Sequence, residues 1–173
     1  MVKNQSKKQK LSCYVIGEES LVIHCIEVLI SHHFLIIGLV TKNPQLIEWA
    51  TKHQIKIIPS DSDVETALKE KVDYLFSIIN PVILSSSLLK KVKKLAINYH
   101  DSLLPRYAGV HATSWAILNQ EKIHGITWHL MDNNIDAGDI LKQAVVTIDK
   151  EETTLSLNLK CYEAAIKCYP CMR

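Results

Sequence analysis

No apolar stretch in this chain of 173 residues approaches the ~20 residues needed to cross a bilayer, so no membrane-spanning helix is expected. Charge of one sign is also lacking. Lys and Arg number 20 against 18 Asp and Glu, and a net +2 is too little to suggest a nucleic-acid or membrane partner. The five cysteines (13, 25, 161, 168 and 171) are odd in number and scattered, which excludes a disulfide framework. Cys13 and Cys25 fall in apolar patterns and read as core thiols. Cys168-Tyr-Pro-Cys171 is formally C-x-x-C but has no second pair and opens no helix after a strand, so neither zinc nor redox chemistry is expected of it. G-x-G-x-x-G is missing: Gly17 stands alone before Glu18 and Glu19, whose carboxylates would repel a pyrophosphate. G-x-S-x-G is missing too, and Ser102 shares a short loop with His100, which disfavours a hydrolase triad of Ser102, His100 and Asp136. His100, His111, His124 and His129 lack paired spacing on a helix and a nearby thiolate, so no metal site is expected. Repeats, low-complexity tracts and interdomain linkers are absent.

What is present reads as one compact domain. An apolar fraction of 47% with 22% charged residues suits a soluble, cytoplasmic protein with a sizeable core. Residues 1–10, with Lys3, Lys7, Lys8 and Lys10, read as a disordered polar tail, with no hydrophobic segment behind it to act as a signal peptide. From Leu11 onward, short apolar runs alternate with segments of helical period. Runs at Leu11–Gly17, Phe34–Val40, Ile55–Ile58, Tyr74–Ile79 and Leu95–Tyr99 read as buried strands. Between them lie helices carrying Leu21, Val22, Cys25, Ile26, Leu29 and Ile30; then Leu46, Ile47 and Ala50 after Asn43-Pro44; then Val64, Ala67 and Leu68 behind a Ser62/Glu65 capping box; then Leu88, Leu89 and Val92. Lys90, Lys91, Lys93 and Lys94 crowd the end of the last of these, where cations suit the helix dipole. The alternation predicts an α/β fold with a doubly wound, mostly parallel sheet and helices on both faces. After residue 99 come a polar loop, a helix near Ala112–Asn119 and two strand-like runs, Ile123–Met131 and Ile140–Ile148. A last helix capped by Thr153 or Thr154 carries Leu155, Leu159, Tyr162 and Ile166.

The chemistry concentrates where the fifth strand ends. Asn98 and His100 are two apart, so on an extended chain they leave the same face. Ligands of open α/β sheets bind beyond the carboxyl ends of the strands, where Asn80 and Pro81 also stand. An amide donor and an imidazole aimed at one point, with the Asp136 carboxylate in reach, can manage charge and protons in acyl transfer.

These residues resemble the folate-dependent formyltransferase family. The likeness is carried by Asn98-Tyr-His-Asp-Ser-Leu-Leu-Pro-Arg-Tyr-Ala-Gly-Val-His111, Trp115-Ala-Ile-Leu-Asn119, Gly125-Ile-Thr-Trp-His129 and Asp136-Ala-Gly-Asp139, with His100 and Asp136 at family-like separation. It implies a Rossmann-like formyltransferase fold over residues 11–173. It implies 10-formyltetrahydrofolate as donor, a primary amine as acceptor, and no metal. Matched residue by residue, Asn98, His100 and Asp136 fall on the family's catalytic positions. Val82, Ile83 and Leu84, with Asn133, Asn134 and Ile135, fall on segments that hold the pterin, largely by backbone groups. His111 and His129 match positions near the site, with loop anchoring and strand-face packing as equally open roles.

There are departures. Asp101 stands where many relatives have proline, and the phosphate-holding glycine loop of the ribonucleotide enzyme is missing. No β-barrel domain follows, as it does in the tRNA enzyme. The variant block is most similar to the formylation domains that begin some nonribosomal peptide synthetases, which implies an aminoacyl acceptor and carrier or adenylation domains as partners. Amino-sugar or methionyl-tRNA formylation, hydrolysis of 10-formyltetrahydrofolate, and an inactive folate-binding remnant stay as alternatives. The stop at Cys171-Met-Arg173 is read as a carboxyl-terminal truncation.

Overall fold

The computed structural model describes residues 10–60 and 64–169. The expected alternation is there: β1 (Ser12–Gly17), α1 (Leu21–Ser31), β2 (Leu35–Val40), α2 (Pro44–Lys52), β3 (Ile57–Ile58), α3 (Val64–Ala67), β4 (Tyr74–Ile78), α4 (Ser86–Leu89) and β5 (Leu95–His100). Then follow α5 (Ala112–Leu118), β6 (Ile123–Leu130), β7 (Ile140–Thr147) and α6 (Thr154–Lys167). All seven strands join one sheet in the order β3-β2-β1-β4-β5-β6-β7. The first five run parallel, and β6 and β7 are antiparallel additions. The Ser62 cap, Lys3, Lys7, Lys8 and Cys171 lie outside the described residues.

Side chains alternate between the two faces because a strand has period two. Cys13, Val15, Phe76, Ile97, Tyr99, Ile126 and Trp128 turn to one face and pack against α1, α2 and α6. Tyr14, Ile16 and Leu75 turn to the other, under Val64 and Leu68 near α3 and Leu88 of α4. On that second face the apolar cover gives out along β5: Ala96 packs at the edge of the cluster, but Asn98 and His100, next in the same row, do not belong to it. Their cross-strand partners on β6 are His129 and Thr127. Four polar side chains thus share a sheet face that loops, rather than a helix, cover.

Local chemistry sets the ends of the elements. The Asn43 side chain accepts from the main-chain N–H groups of Gln45 and Leu46, and Pro44 follows where no N–H is needed. Thr153 and Ser156 form a reciprocal cap on α6. Three expectations need correction. Helix α4 stops at Leu89, so Lys93 and Lys94 lie past it, their N–H groups drawn to the carbonyls of Val72 and Asp73 at the entry to β5. Ile30 is exposed, since the apolar stripe of α1 ends at Leu29. In α6 the buried row is Leu157, Cys161 and Ala165, while Leu155 and Leu159 face outward. Trp128 decides that orientation: fully buried, it meets Tyr169 edge-on, and its indole N–H donates to the Ala165 carbonyl at 3.3 Å.

Candidate active site

The loop after β5 is tied down by one buried hydroxyl. Thr127 Oγ1 donates to the Ser102 carbonyl at 2.6 Å and accepts from the Leu104 N–H at 3.1 Å and the Gln143 amide at 2.9 Å. Ser102 in turn donates to the Arg106 carbonyl. The Ser-Leu-Leu-Pro motif is thereby read as scaffold. Thr127→Val keeps the shape but strands the Ser102 carbonyl and the Leu104 N–H in a dry interior, each orphan costing about 1–3 kcal/mol. We expect a loss of about 2–3 kcal/mol in urea unfolding; an unchanged midpoint would show the network to be dispensable.

The loop delivers two groups to the site. The Tyr107 carbonyl lies 2.8 Å from His100 Nε2; a carbonyl can only accept, so Nε2 carries a proton. Gly109, at φ +97° where a side chain is strained, points its N–H to Asp136 Oδ2 at 2.8 Å. From the opposite side, the 131–139 loop brings Asp136 in, with φ +53°, a left-handed conformation that Asp tolerates better than most residues. Its Oδ2 lies 3.4 Å from His100 Nδ1, and its Oδ1 3.5 Å from His129 Nε2. The His129 Nε2 is also 3.1 Å from Asn98 Nδ2. The three residues singled out from the sequence are therefore brought together, with His129 as the fourth member linking Asn98 to Asp136.

Burial alone would raise the Asp136 carboxyl. The neighbouring His129 ring, the Gly109 N–H and the His100 ring outweigh it and hold the pKa below its ordinary 3.8. Asp136 is thus a carboxylate at any near-neutral pH. The arrangement offers an amide donor, a ring whose Nδ1 can carry a proton, and a base behind that ring. His124 stands apart, its ring donating to the Asp101 carbonyl at 2.6 Å, and burial lowers its pKa.

The 133–135 segment is joined to the start of α4, just past the 82–84 segment, by a hydrogen bond from the Ser86 hydroxyl to the Asn133 side chain. Val82, Ile83 and Ile135 are exposed there, whereas Leu84 is buried in the second core cluster. The Asn80 side chain closes on both main-chain groups of Val82, accepting from its N–H at 3.0 Å and donating to its carbonyl at 2.8 Å. Val82 therefore has little backbone to offer a ligand. Asn134 N–H is likewise engaged, by Asp132 at 2.7 Å. Sequence reasoning left His129 out of the catalytic set; its alignment with Asn98 across β5 and β6 depends on strand register. His111 starts α5 in a left-handed conformation and is exposed.

At the end of β1, Glu18 closes the loop that glycines would occupy in a phosphate site. Its carboxylate accepts from Thr41 Oγ1 at 3.0 Å, Ser60 Oγ at 2.8 Å, and the N–H groups of Lys42 and Asn43, both at 3.1 Å. Donors that an anion would need are spent on the chain's own side chain.

The fold thus sets an amide and an imidazole on one sheet face, with a loop carboxylate beside them. The chain belongs to the formyl transferase family, whose model matches residues 42–172. Over 95 residues it is 42% identical to the bifunctional polymyxin resistance protein ArnA of Wigglesworthia glossinidia brevipalpis, a match covering 54% of this chain and 14% of that protein. The chain therefore spans only a small part of that curated relative. A phosphoribosylglycinamide formyltransferase from Bacillus halodurans superposes with a TM-score of 0.82 at 24% identity, over 92% of this chain and 91% of that one. WlaRD, a sugar 3N-formyl transferase solved in the presence of dTDP and 5-N-formyl-THF, gives 0.77 at 24% identity, over 92% of this chain and 60% of that one. At these identities the structural likeness is one of fold.

Proposed function

We propose that this protein is an N-formyltransferase that moves a formyl group from 10-formyltetrahydrofolate to a primary amine. The observation that carries the reading is the convergence of Asn98, His100 and Asp136 beside the 82–84 and 133–135 segments. Exposed Val82, Ile83 and Ile135 suit a flat heteroaromatic ring, and the main-chain groups of Ile83 and Leu84 suit its polar edge.

The amine nitrogen attacks the formyl carbon, and negative charge develops on the formyl oxygen. Asn98 Nδ2–H and His100 Nδ1–H donate to that oxygen, a type of stabilisation worth about 10²–10³ in turnover per donor. His100 Nε2–H stays on the Tyr107 carbonyl, which fixes the ring and leaves Nδ1 as the working nitrogen. Asp136, 3.4 Å from that Nδ1, takes the proton that the attacking nitrogen sheds, directly or through water. The bond from carbon to the folate nitrogen then breaks, and that nitrogen gains a proton, so the products are a formamide and tetrahydrofolate.

For the acceptor we propose an aminoacyl group delivered by a carrier domain of a peptide synthetase. The character of the Asn98–His111 block supports this, and the Glu18 plug disfavours a phosphate held at the β1 loop. Transfer of labelled formyl should be highest to carrier-bound aminoacyl groups and lower to amino sugars and methionyl-tRNA. Formate release without any amine serves as the hydrolase control. A chain that labels only the tRNA, or only releases formate, overturns the acceptor assignment.

A further inference from the structure

Asn98 can serve as a donor only if its amide nitrogen, not its oxygen, faces the reacting carbonyl, and β5 alone does not decide which. Backbone and β-strand geometry place the side chain; a half-turn of the terminal torsion swaps donor for acceptor. What decides it is on the neighbouring strand.

His129 is buried at 2% exposure and lies directly across from Asn98 in the β5–β6 register. Its Nδ1 is 2.8 Å from the carbonyl of Leu130, so Nδ1 carries a proton. In the neutral ring Nε2 is then an acceptor, and at 3.1 Å it takes a hydrogen bond from Asn98 Nδ2. The same Nε2 lies farther, 3.5 Å, from Asp136 Oδ1. It cannot accept from Asn98 and donate to Asp136 together. Asp136 has two other partners, the Gly109 N–H at 2.8 Å and His100 Nδ1 at 3.4 Å.

We propose that neutral His129 is a positioning residue that holds the Asn98 amide with its nitrogen toward the site, one N–H spent on the ring and the second kept for the formyl oxygen. The two histidines then divide their labour around one carboxylate: His100 offers Nδ1 to the reacting carbonyl, and His129 offers Nε2 to the Asn98 amide. A cation at 129 would drive the Asn98 amide round and put its oxygen where the oxyanion forms. The inference rests on the formyl-transfer reading for its catalytic consequence, but not for the hydrogen bond itself.

The test uses the whole chain. His129→Phe removes the acceptor at similar volume, and kcat should fall roughly 10- to 100-fold, short of deleting a donor outright, with KM for folate changed by less than about twofold. His129→Gln, whose Oε1 can stand in for Nε2, should recover turnover to within about fivefold of the parent, as expected if only the acceptor matters. Equal loss in the two variants, or parental kcat in His129→Phe, overturns the proposal; should His129→Phe not fold, His129→Leu takes its place. Independently of activity, the Asn98 side-chain amide, assigned by its disappearance in Asn98→Asp, should show one downfield, slowly exchanging proton in the parent and none in His129→Phe. If the parent transfers no formyl group, the proposed function falls, while the amide spectrum still decides the role of His129.

Discussion

Asp136→Asn is expected to lower kcat for formyl transfer by about 10³-fold, within the range that a positioned acid–base group contributes, while tetrahydrofolate binding changes by less than about twofold. The substitution separates charge from shape. Asparagine has the same outline, and its side-chain oxygen can still accept the Gly109 N–H now held at 2.8 Å. The loop, and the 133–135 segment within it, should therefore stay in place. What goes is the negative charge 3.4 Å from His100 Nδ1 and the group that can take up a proton. Stopped-flow or steady-state transfer gives the first quantity, and thermal stabilisation by tetrahydrofolate the second. Parental turnover in the variant would remove Asp136 from the mechanism.

The same variant carries a pH signature. The folded Asp136 pKa lies below the ordinary 3.8, so the native state binds this proton less readily than the unfolded chain. Its contribution to stability is fully present above the unfolded value and is lost as the pH falls through the folded one. Stability of the parent should therefore drop more steeply than that of Asp136→Asn below pH 3.8, with the two curves running parallel above it. The opposite order would mean that burial, which opposes the shift, wins.

Gly138→Ala should cost about 10²–10³ in kcat/KM, as a displacement near 1 Å alone can cost 10²-fold, and unlike Asp136→Asn it should also weaken folate binding. A Cβ at 138 would sit 1.9 Å from the Leu130 carbonyl oxygen and 2.8 Å from its carbon. Those are backbone atoms of β6, whose neighbouring residues are paired to β5 and β7, and they cannot give way. The 131–139 loop must swing instead, although Asp139 is pinned by the Leu130 N–H at 2.9 Å. Asp136 and the 133–135 segment move with it. Circular dichroism should show the sheet intact, so loss of both functions reports the loop. Full folate affinity in Gly138→Ala would show that this contact does not place the segment.

Much of this was legible from residue order. Among the described residues, the apolar runs and helical periods forecast the strands and helices in order, and Asn43-Pro44 and Thr153 marked two helix starts that the structure caps as expected. Asn98 and His100 share a face because strand geometry requires it. Less legible were the face of α6 and the backbone of Val82. In α6 both candidate rows hold apolar residues, and only the fit of Trp128 and Tyr169 against the helix selects Leu157, Cys161 and Ala165. At Val82 the closing partner, Asn80, is two residues away, but its rotamer is chosen by the loop.

Taken alone, the order of residues determined the alternation of strand and helix, the polar end of β5, and the family likeness, because each depends on neighbours within a few positions. The tertiary structure decided the rest: that His129, 31 residues from Asn98, lies across from it; that Glu18 fills its own loop; and that the Tyr107 carbonyl picks the His100 tautomer. Those pairings depend on strand register and loop packing, which are settled by the burial of whole faces and cannot be read from any one segment.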